Sequence, residues 1–96
     1  MFNPVILIPF YNHGPAFEKM ATNLHKLNLP AVLVIDDGSS ENHSSIAQKI
    51  CKKYHFIYIK NKINQGKGSA IKTGFVWAKH NKYTHALQID ADGQHI

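Results

Sequence analysis

The sequence predicts an α/β domain in which a mostly parallel sheet of about four strands is covered by crossover helices. Short continuous apolar runs alternate along the chain with longer segments whose apolar residues recur at every third or fourth position. No linker, internal repeat or change in composition interrupts this alternation. Strands that alternate with helices are typical of a parallel sheet. We therefore expect residues 1–96 to belong to a single domain with a thin core.

The first half of the chain contains two predicted strands and one predicted helix. Pro4 to Pro9 is a continuous apolar run, rich in β-branched residues, which is typical of a strand buried on both faces. Ala31 to Ile35 is a second run of the same kind. Between them lie a loop and a predicted amphipathic helix. Its expected inner face consists of Phe17, Met20, Ala21, Leu24 and Leu27.

The second half repeats the pattern, with predicted strands at Phe56 to Ile59 and Tyr83 to Ile89. Two further helices are predicted from apolar residues at helical spacing. The inner face of the second helix is expected to consist of Ile46, Ala47, Ile50, Cys51 and Tyr54. That of the third is expected to consist of Ala70, Ile71, Gly74, Phe75 and Ala78.

The amino-acid composition limits the classes of ligand that the protein could bind, but it does not identify one of them. Eleven lysines against six acids give a formal charge of +5, which suits a phosphorylated ligand, an anionic membrane face or nucleic acid. No basic run is interleaved with aromatic residues in a nucleic-acid motif, so we do not expect a nucleic-acid partner. The single cysteine, Cys51, has no partner for an internal disulfide, which indicates a core thiol in a reducing compartment.

The acidic residues are concentrated at the ends of two predicted strands. Asp36 and Asp37 follow the second strand, and Asp90 and Asp92 follow the fourth. Ligands of such sheets lie beyond the carboxyl ends of the strands, so we expect both pairs to face one crevice. Asp90, Asp92 and Gln94 place oxygen atoms at alternate positions, and oxygen ligands favour Mg²⁺ or Mn²⁺. The alternative is a solvated turn or a helix cap.

Two other loops at this edge have a ligand-binding and a purely structural interpretation. One of Asp36 and Asp37 is expected to accept hydrogen bonds from a nucleotide while the other bonds the backbone, although Asp-Gly followed by serines is also a plain turn. Gln65 to Ser69 is similar to a phosphate loop at a helix N-terminus, where Lys67 either approaches a diphosphate or is simply solvated. His13 and His95 lie on site loops.

The motifs occur in an order that points to a family. They are Ile8 to Asn12, Ile35 to Ser40, Asn64 to Gly68, and Asp90 to His95. Together they resemble the amino-terminal half of a family 2 glycosyltransferase of the GT-A fold. The branch that they resemble most contains dolichol-phosphate mannose synthase and related polyprenyl-phosphate glycosyltransferases. The resemblance implies a Rossmann-like, nucleotide-sugar-binding half-domain.

The resemblance also implies which residues bind the ligand. The expected nucleotide-sugar contacts are Pro9, Tyr11, His13, Ile35, Asp36, Asp37, Lys67, Asp90 and Ala91. Asp90, Asp92 and Gln94 are the expected ligands of the Mg²⁺ or Mn²⁺ ion that bridges the diphosphate. His13 stands where mannose synthases carry a glutamate, which leaves UDP- and GDP-sugars both open as donors.

The implied reaction is transfer of a sugar from a nucleotide-diphosphate sugar to an acceptor, either a polyprenyl phosphate or a glycan. No catalytic base is identifiable in the chain, and one is expected beyond Ile96. The alternatives are a truncated, non-catalytic fragment that retains nucleotide binding at most, and a sugar nucleotidyltransferase. The expected location is the cytoplasm, with peripheral association of a longer parent at the cytoplasmic membrane face left open.

Overall fold

The computed structural model describes residues 1–28 and 30–90. In this part of the chain, four strands and three helices alternate in the predicted order. The elements are β1 (Pro4–Phe10), α1 (Gly14–Lys26), β2 (Ala31–Asp37), α2 (Glu41–Tyr54), β3 (Ile57–Asn61), α3 (Lys67–His80) and β4 (His85–Gln88). The predicted α/β class with crossover helices is confirmed.

The four strands form one sheet in the order β3-β2-β1-β4. All three strand pairs are parallel: Val5 is paired with Ala31, Pro4 with His85, and Leu33 with Ile57. The chain moves outward from β1 to β3, and α3 then carries it back across the sheet to β4 on the other side of β1. The strand order therefore reverses between β1 and β4, where parallel sheets open a crevice at their carboxyl edge.

The sheet separates two cores because successive strand residues point to opposite faces. One face packs against α1 and α2 through buried residues that include Ile6, Ile8 and Val34. The opposite face packs against α3, and its buried residues are Val5, Leu7, Leu33, Ile35, Ala70 and Ala78. This burial on both faces explains why β1 and β2 appear in the sequence as continuous apolar runs.

Two predicted core positions on the helices are wrong. Leu27 is 67% exposed, because α1 ends at Lys26 and Leu27 is already the helix cap. Phe75 is 48% exposed, because α3 approaches the sheet through its smallest residues, Gly74 among them. A methyl group at Gly74 would lie 3.0 Å from Ile35 Cδ1, so this narrow contact leaves the bulky neighbour at the helix flank.

Strand ends also differ from the sequence prediction. β2 continues two residues further, to Asp37, because its pairing with β3 extends to the Asp37–Asn61 pair. β4 is shorter than expected, because it pairs with β1 only between Pro4 and Leu7.

Cys51 is buried and unpaired in the core beneath α2. Burial, with a smaller contribution from the charge of Asp36, raises the pKa of the Cys51 thiol to about 12. Within the described ranges, no helix combines the length and the apolar character needed to cross a membrane.

Candidate functional site

A cleft lies at the carboxyl edge of the sheet, next to the point where the strand order reverses. Its walls come from the end of β1 and the loop that follows it, the end of β2, the loop before α3 with the start of that helix, and Asp90. The lining residues are Pro9, Phe10, Tyr11, His13, Asp37, Asn64, Gly66, Lys67, Ala70 and Asp90. The structure thus brings together chain segments that are up to 81 residues apart, from Pro9 to Asp90.

The loop after β1 is held by the turn after β2. Asn12 has a left-handed backbone (φ 51°), its N–H donates to Ser39 Oγ at 2.9 Å, and its Oδ1 accepts from the Ser40 N–H at 3.0 Å. Asparagine tolerates this conformation better than most residues. Tyr11 and His13, on either side of Asn12, are exposed at the cleft. This role of Asn12 is not among the sequence predictions, although an asparagine in a loop rich in turn-forming residues is the signal that could indicate it.

Asp36 lies in the wall behind the cleft and organises the turn. Its carboxylate is buried and accepts from the Ser39 N–H at 2.9 Å, the Ser44 hydroxyl at 2.6 Å and the Tyr58 hydroxyl at 2.6 Å. Burial by itself raises the pKa of the Asp36 carboxyl, but these hydrogen bonds outweigh burial and hold its pKa below the ordinary value. Burial and the bond to Asp36 raise the pKa of Tyr58 to about 12.

Asp37 lines the cleft and binds the glycine loop at the same time. Its carboxylate accepts from the Gln65 N–H at 3.1 Å, from the Gly66 N–H at 2.8 Å and from Asn61 Nδ2 at 3.3 Å. Both aspartates of the pair therefore bond the backbone, and Asp37 is the one that also faces the cleft. Two amides of the predicted phosphate loop thus already bind Asp37, and Lys67 lines the cleft from the start of α3.

Gly38 allows this close approach. Its φ of 76° lies in the left-handed region, and a methyl group on its Cα would collide with the backbone nitrogen of Asn64. The loop before α3 can therefore lie directly against the turn after β2. The hydrogen bonds from the Gln65 and Gly66 amides to Asp37 depend on this contact between the loop and the turn.

Asp90 lies two residues after the end of β4 and forms an ion pair with Lys67. The Ile89 N–H donates to the Leu7 carbonyl at 2.9 Å, which holds this segment beside β1. Lys67 Nζ lies 2.6 Å from Asp90 Oδ1, and Gln88 Nε2 donates to the same oxygen at 3.2 Å. Lys67 and Asp90, two oppositely charged residues that line the cleft, are thus in direct contact.

The remaining predicted site residues differ in their placement. The Ile35 side chain is fully buried against α3, so it supports the cleft from behind and does not line it. Pro9 does line the cleft. Ala91, Asp92, Gln94 and His95 lie outside the described residues, and the predicted ligand contacts of all these positions stay predictions.

The described part of the chain contains no cluster of three or more histidine, cysteine or acidic side chains that could hold a metal ion. Asp90 is the described member of the predicted metal-binding set. Its carboxylate is a hard oxygen donor of the kind that Mg²⁺ and Mn²⁺ prefer, and it already attracts a cation in the form of the Lys67 ammonium group. The donor chemistry at this position therefore fits the predicted metal.

The parallel sheet and the cleft at its reversal point are typical of the Rossmann-like class of α/β proteins. Within that class, the chain belongs to glycosyl transferase family 2, whose profile matches residues 5–96. The resemblance inferred from the motifs is thereby confirmed.

Curated relatives match nearly the whole of this chain. An uncharacterized protein of Methanocaldococcus jannaschii, MJ0544, is 38% identical over 94 residues, which cover 95% of this chain and 41% of the relative. The UDP-N-acetylglucosamine–dolichyl-phosphate N-acetylglucosaminyltransferase of Methanococcus voltae is 29% identical over 103 residues, covering 94% of this chain and 41% of the relative. The chain thus spans about two fifths of the length of either relative.

A solved structure with the same fold is the mannosyltransferase PcManGT from Pyrobaculum calidifontis, determined in complex with GDP-Man and Mn²⁺. The TM-score is 0.79 at 21% identity, and the match covers 94% of this chain and 27% of that protein. At this level of identity the likeness establishes the shared fold.

Proposed function

We propose that this chain is the donor-binding part of a glycosyltransferase that takes a sugar from a nucleoside-diphosphate sugar. The observation that carries the proposal is the cleft, where an exposed aromatic residue, an acidic residue and a lysine–aspartate pair meet in a family 2 chain. The names of the Methanococcus voltae relative and of the Pyrobaculum complex, which mention UDP- and GDP-linked sugars, support this choice of donor.

The nucleoside is proposed to lie between Tyr11 and Asp37. Tyr11 is exposed at the cleft and offers a ring face on which a base can stack. Asp37 is fixed by the amides of Gln65 and Gly66, so its carboxylate has a defined orientation for a hydroxyl or N–H of the nucleoside. His13 is exposed beside Tyr11 and contacts the same ligand in this proposal. UDP- and GDP-sugars are both candidates.

Asp90 is proposed to hold Mg²⁺ or Mn²⁺, with Asp92 and Gln94 as further ligands from the same motif. Such an ion, when bound, supplies positive charge for the diphosphate that leaves during sugar transfer. Lys67, which extends into the cleft from the start of α3, adds a second positive charge. The proposed acceptor is a polyprenyl phosphate or a glycan, and the proposed location is the cytoplasm, including the cytoplasmic face of the membrane.

Calorimetric titration tests the donor site. UDP and GDP are titrated into the folded chain with MnCl₂ and with EDTA, and circular dichroism verifies folding. We expect at least one of the two nucleotides to bind in a manganese-dependent way, and Asp90→Asn to weaken that binding by about tenfold, equivalent to about 1.4 kcal/mol. Glu41→Gln, which removes an exposed acid at the start of α2, is the matched control and is expected to change nothing.

A folded sample that binds neither nucleotide, or that binds equally well after Asp90→Asn, would contradict the proposal. A turnover assay with a nucleotide sugar separates the enzyme from the alternative of a non-catalytic fragment. Sugar transfer by these 96 residues alone would exclude that alternative.

A further inference from the structure

The contact between Lys67 and Asp90 has a consequence for the order in which ligands bind. Lys67 Nζ lies 2.6 Å from the Oδ1 atom of the residue proposed to bind the metal. We infer that Lys67 is an exchangeable counterion: it neutralises Asp90 until a divalent metal replaces it, and it then pairs with the diphosphate. This inference rests on the proposed function and deepens it, because it assigns Lys67 a different partner before and after the metal binds.

Lys67 and a metal ion compete for the same carboxylate. Asp90 Oδ1 accepts from both Lys67 and Gln88, so a cation that binds this group meets an ammonium already in place. An ammonium and a divalent ion on one carboxylate would repel each other strongly at such short range. A metal ion that binds Asp90 must therefore displace Lys67, and the cost of this displacement lowers the affinity of the site for the metal.

The structure allows Lys67 to move. Its side chain is 57% exposed, and exposed ion pairs are weak enough to be exchanged. The backbone next to it is held firmly, because the N–H groups of Gln65 and Gly66 both donate to Asp37. The flexible stem of Lys67 can thus change direction about a fixed starting point at the beginning of α3.

The exchange couples the metal to the nucleotide. Without a nucleotide, Lys67 lowers the affinity for the metal because it must be displaced from Asp90. With a diphosphate in the cleft, the displaced ammonium gains a new anionic partner. Each ligand then favours the other, and the coupling is reciprocal.

The test measures Mn²⁺ binding by electron paramagnetic resonance, with MnCl₂ as the only ligand, and then GDP and UDP binding at saturating Mn²⁺. Lys67→Met keeps most of the length of the unbranched side chain and removes its charge. We expect this variant to bind Mn²⁺ alone about two- to fivefold more tightly than the wild type, the range for an exposed ion pair. At saturating Mn²⁺ it should bind the nucleotide several times more weakly.

Lys72→Met is the matched control, because Lys72 is an exposed lysine on the same helix that does not line the cleft. It should change neither affinity. Unchanged or weaker Mn²⁺ binding by Lys67→Met would overturn the proposed competition between Lys67 and the metal. Nucleotide affinity equal to that of the wild type would overturn the proposed pairing of Lys67 with the diphosphate. If the wild type binds Mn²⁺ and nucleotide while Lys67→Met behaves like Lys72→Met, the exchange fails and the proposed function stands. If the wild type binds neither, the proposed function fails as well.

Discussion

Asp36 shows how a buried charge can be tolerated in a small domain. Two adjacent aspartates would repel each other and resist ionisation unless donors were supplied. The structure supplies them at Asp36, where a backbone amide and the hydroxyl groups of Ser44 and Tyr58 surround the carboxylate. Lys60 Nζ in turn donates to Ser44 Oγ at 2.8 Å, which brings a positive charge to the edge of the network. Asp36 thereby links the turn after β2 to α2 and β3.

Removal of one donor should therefore destabilise the fold and change its response to acid. Ser44→Ala is expected to lower the free energy of unfolding at pH 7 by about 1.5–3 kcal/mol, the usual range for a hydrogen bond to a charged group. The folded-state pKa of Asp36 is depressed, so its stabilisation is present above the unfolded pKa of about 4 and is lost as the pH falls through the folded value. Ser44→Ala should raise that folded pKa and move acid unfolding to higher pH. Urea titration at pH 7 and an acid titration by circular dichroism measure both effects.

Ser45→Ala is the control for this prediction. Ser45 is the next residue of α2 and is exposed, so its removal tests the same chemical change without the buried bond. Equal stability and equal acid midpoints for the two variants would refute the role given to Ser44.

At the scale of the elements, the site depends on contact between two loops that are separated by α2 and β3. The turn after β2 and the loop before α3 meet at Gly38, where only a residue without a side chain fits. Asp37 then receives the amides of Gln65 and Gly66. The glycine is thus required by the neighbouring loop as much as by its own turn.

Gly38→Ala should be strongly destabilising. It forces a side chain into a left-handed conformation, which costs about 1–3 kcal/mol, and it adds a collision with the backbone of Asn64. Thermal and urea unfolding measure the loss. Gly68→Ala is the matched control: Gly68 lies near the start of α3, nothing lies within 4 Å of an added methyl group, and replacement by alanine in a helix gains up to about 1 kcal/mol. Comparable losses for the two variants would contradict the proposed loop contact.

At the scale of the whole molecule, the two edge strands of the sheet differ in burial: most residues of β3 are half-buried, whereas most residues of β4 are exposed. β3 at one edge is paired with β2, and α1 and α2 cover the adjacent face. β4 at the other edge pairs with β1 alone among the described strands, and three of its four residues are exposed. Large apolar side chains lie near this edge, with Leu87 on β4 57% exposed and Phe75 on the flank of α3. An exposed apolar strand edge promotes association with another chain.

Leu87→Lys should therefore reduce self-association of the 96-residue chain, because a lysine on an edge strand opposes pairing between strands. Sedimentation velocity over a concentration series measures the effect, which we expect as a shift from a concentration-dependent to a constant sedimentation coefficient. Leu27→Lys replaces a leucine of similar exposure at the end of α1 and adds the same charge, so it controls for simple repulsion. A wild type that stays monomeric throughout, or equal effects of the two variants, would refute the prediction.

The fold class and the edge of the sheet at which the cleft lies could be predicted from the sequence alone. Apolar runs buried on both faces and helical periodicity depend on local spacing, so they could be identified without knowledge of the neighbours. The placement of polar residues after strands then located the cleft, because all carboxyl ends of a parallel sheet share one edge. The acidic pair and the first loop were predicted in this way, whereas Lys67 was predicted from the likeness of its glycine loop to a phosphate loop.

Which of these residues face the cleft, and what they contact, depends on three-dimensional packing and could not be predicted from the sequence. Asp36 and Asp37 are adjacent in sequence, yet one is buried among donors while the other lines the cleft, because alternate strand residues point to opposite faces. The Lys67–Asp90 ion pair joins residues separated by a helix and a strand, and their distance follows from the path of α3 across the sheet to β4. Contacts of this kind depend on the order of the strands in the sheet, and the periodicity of apolar residues in the sequence does not specify that order.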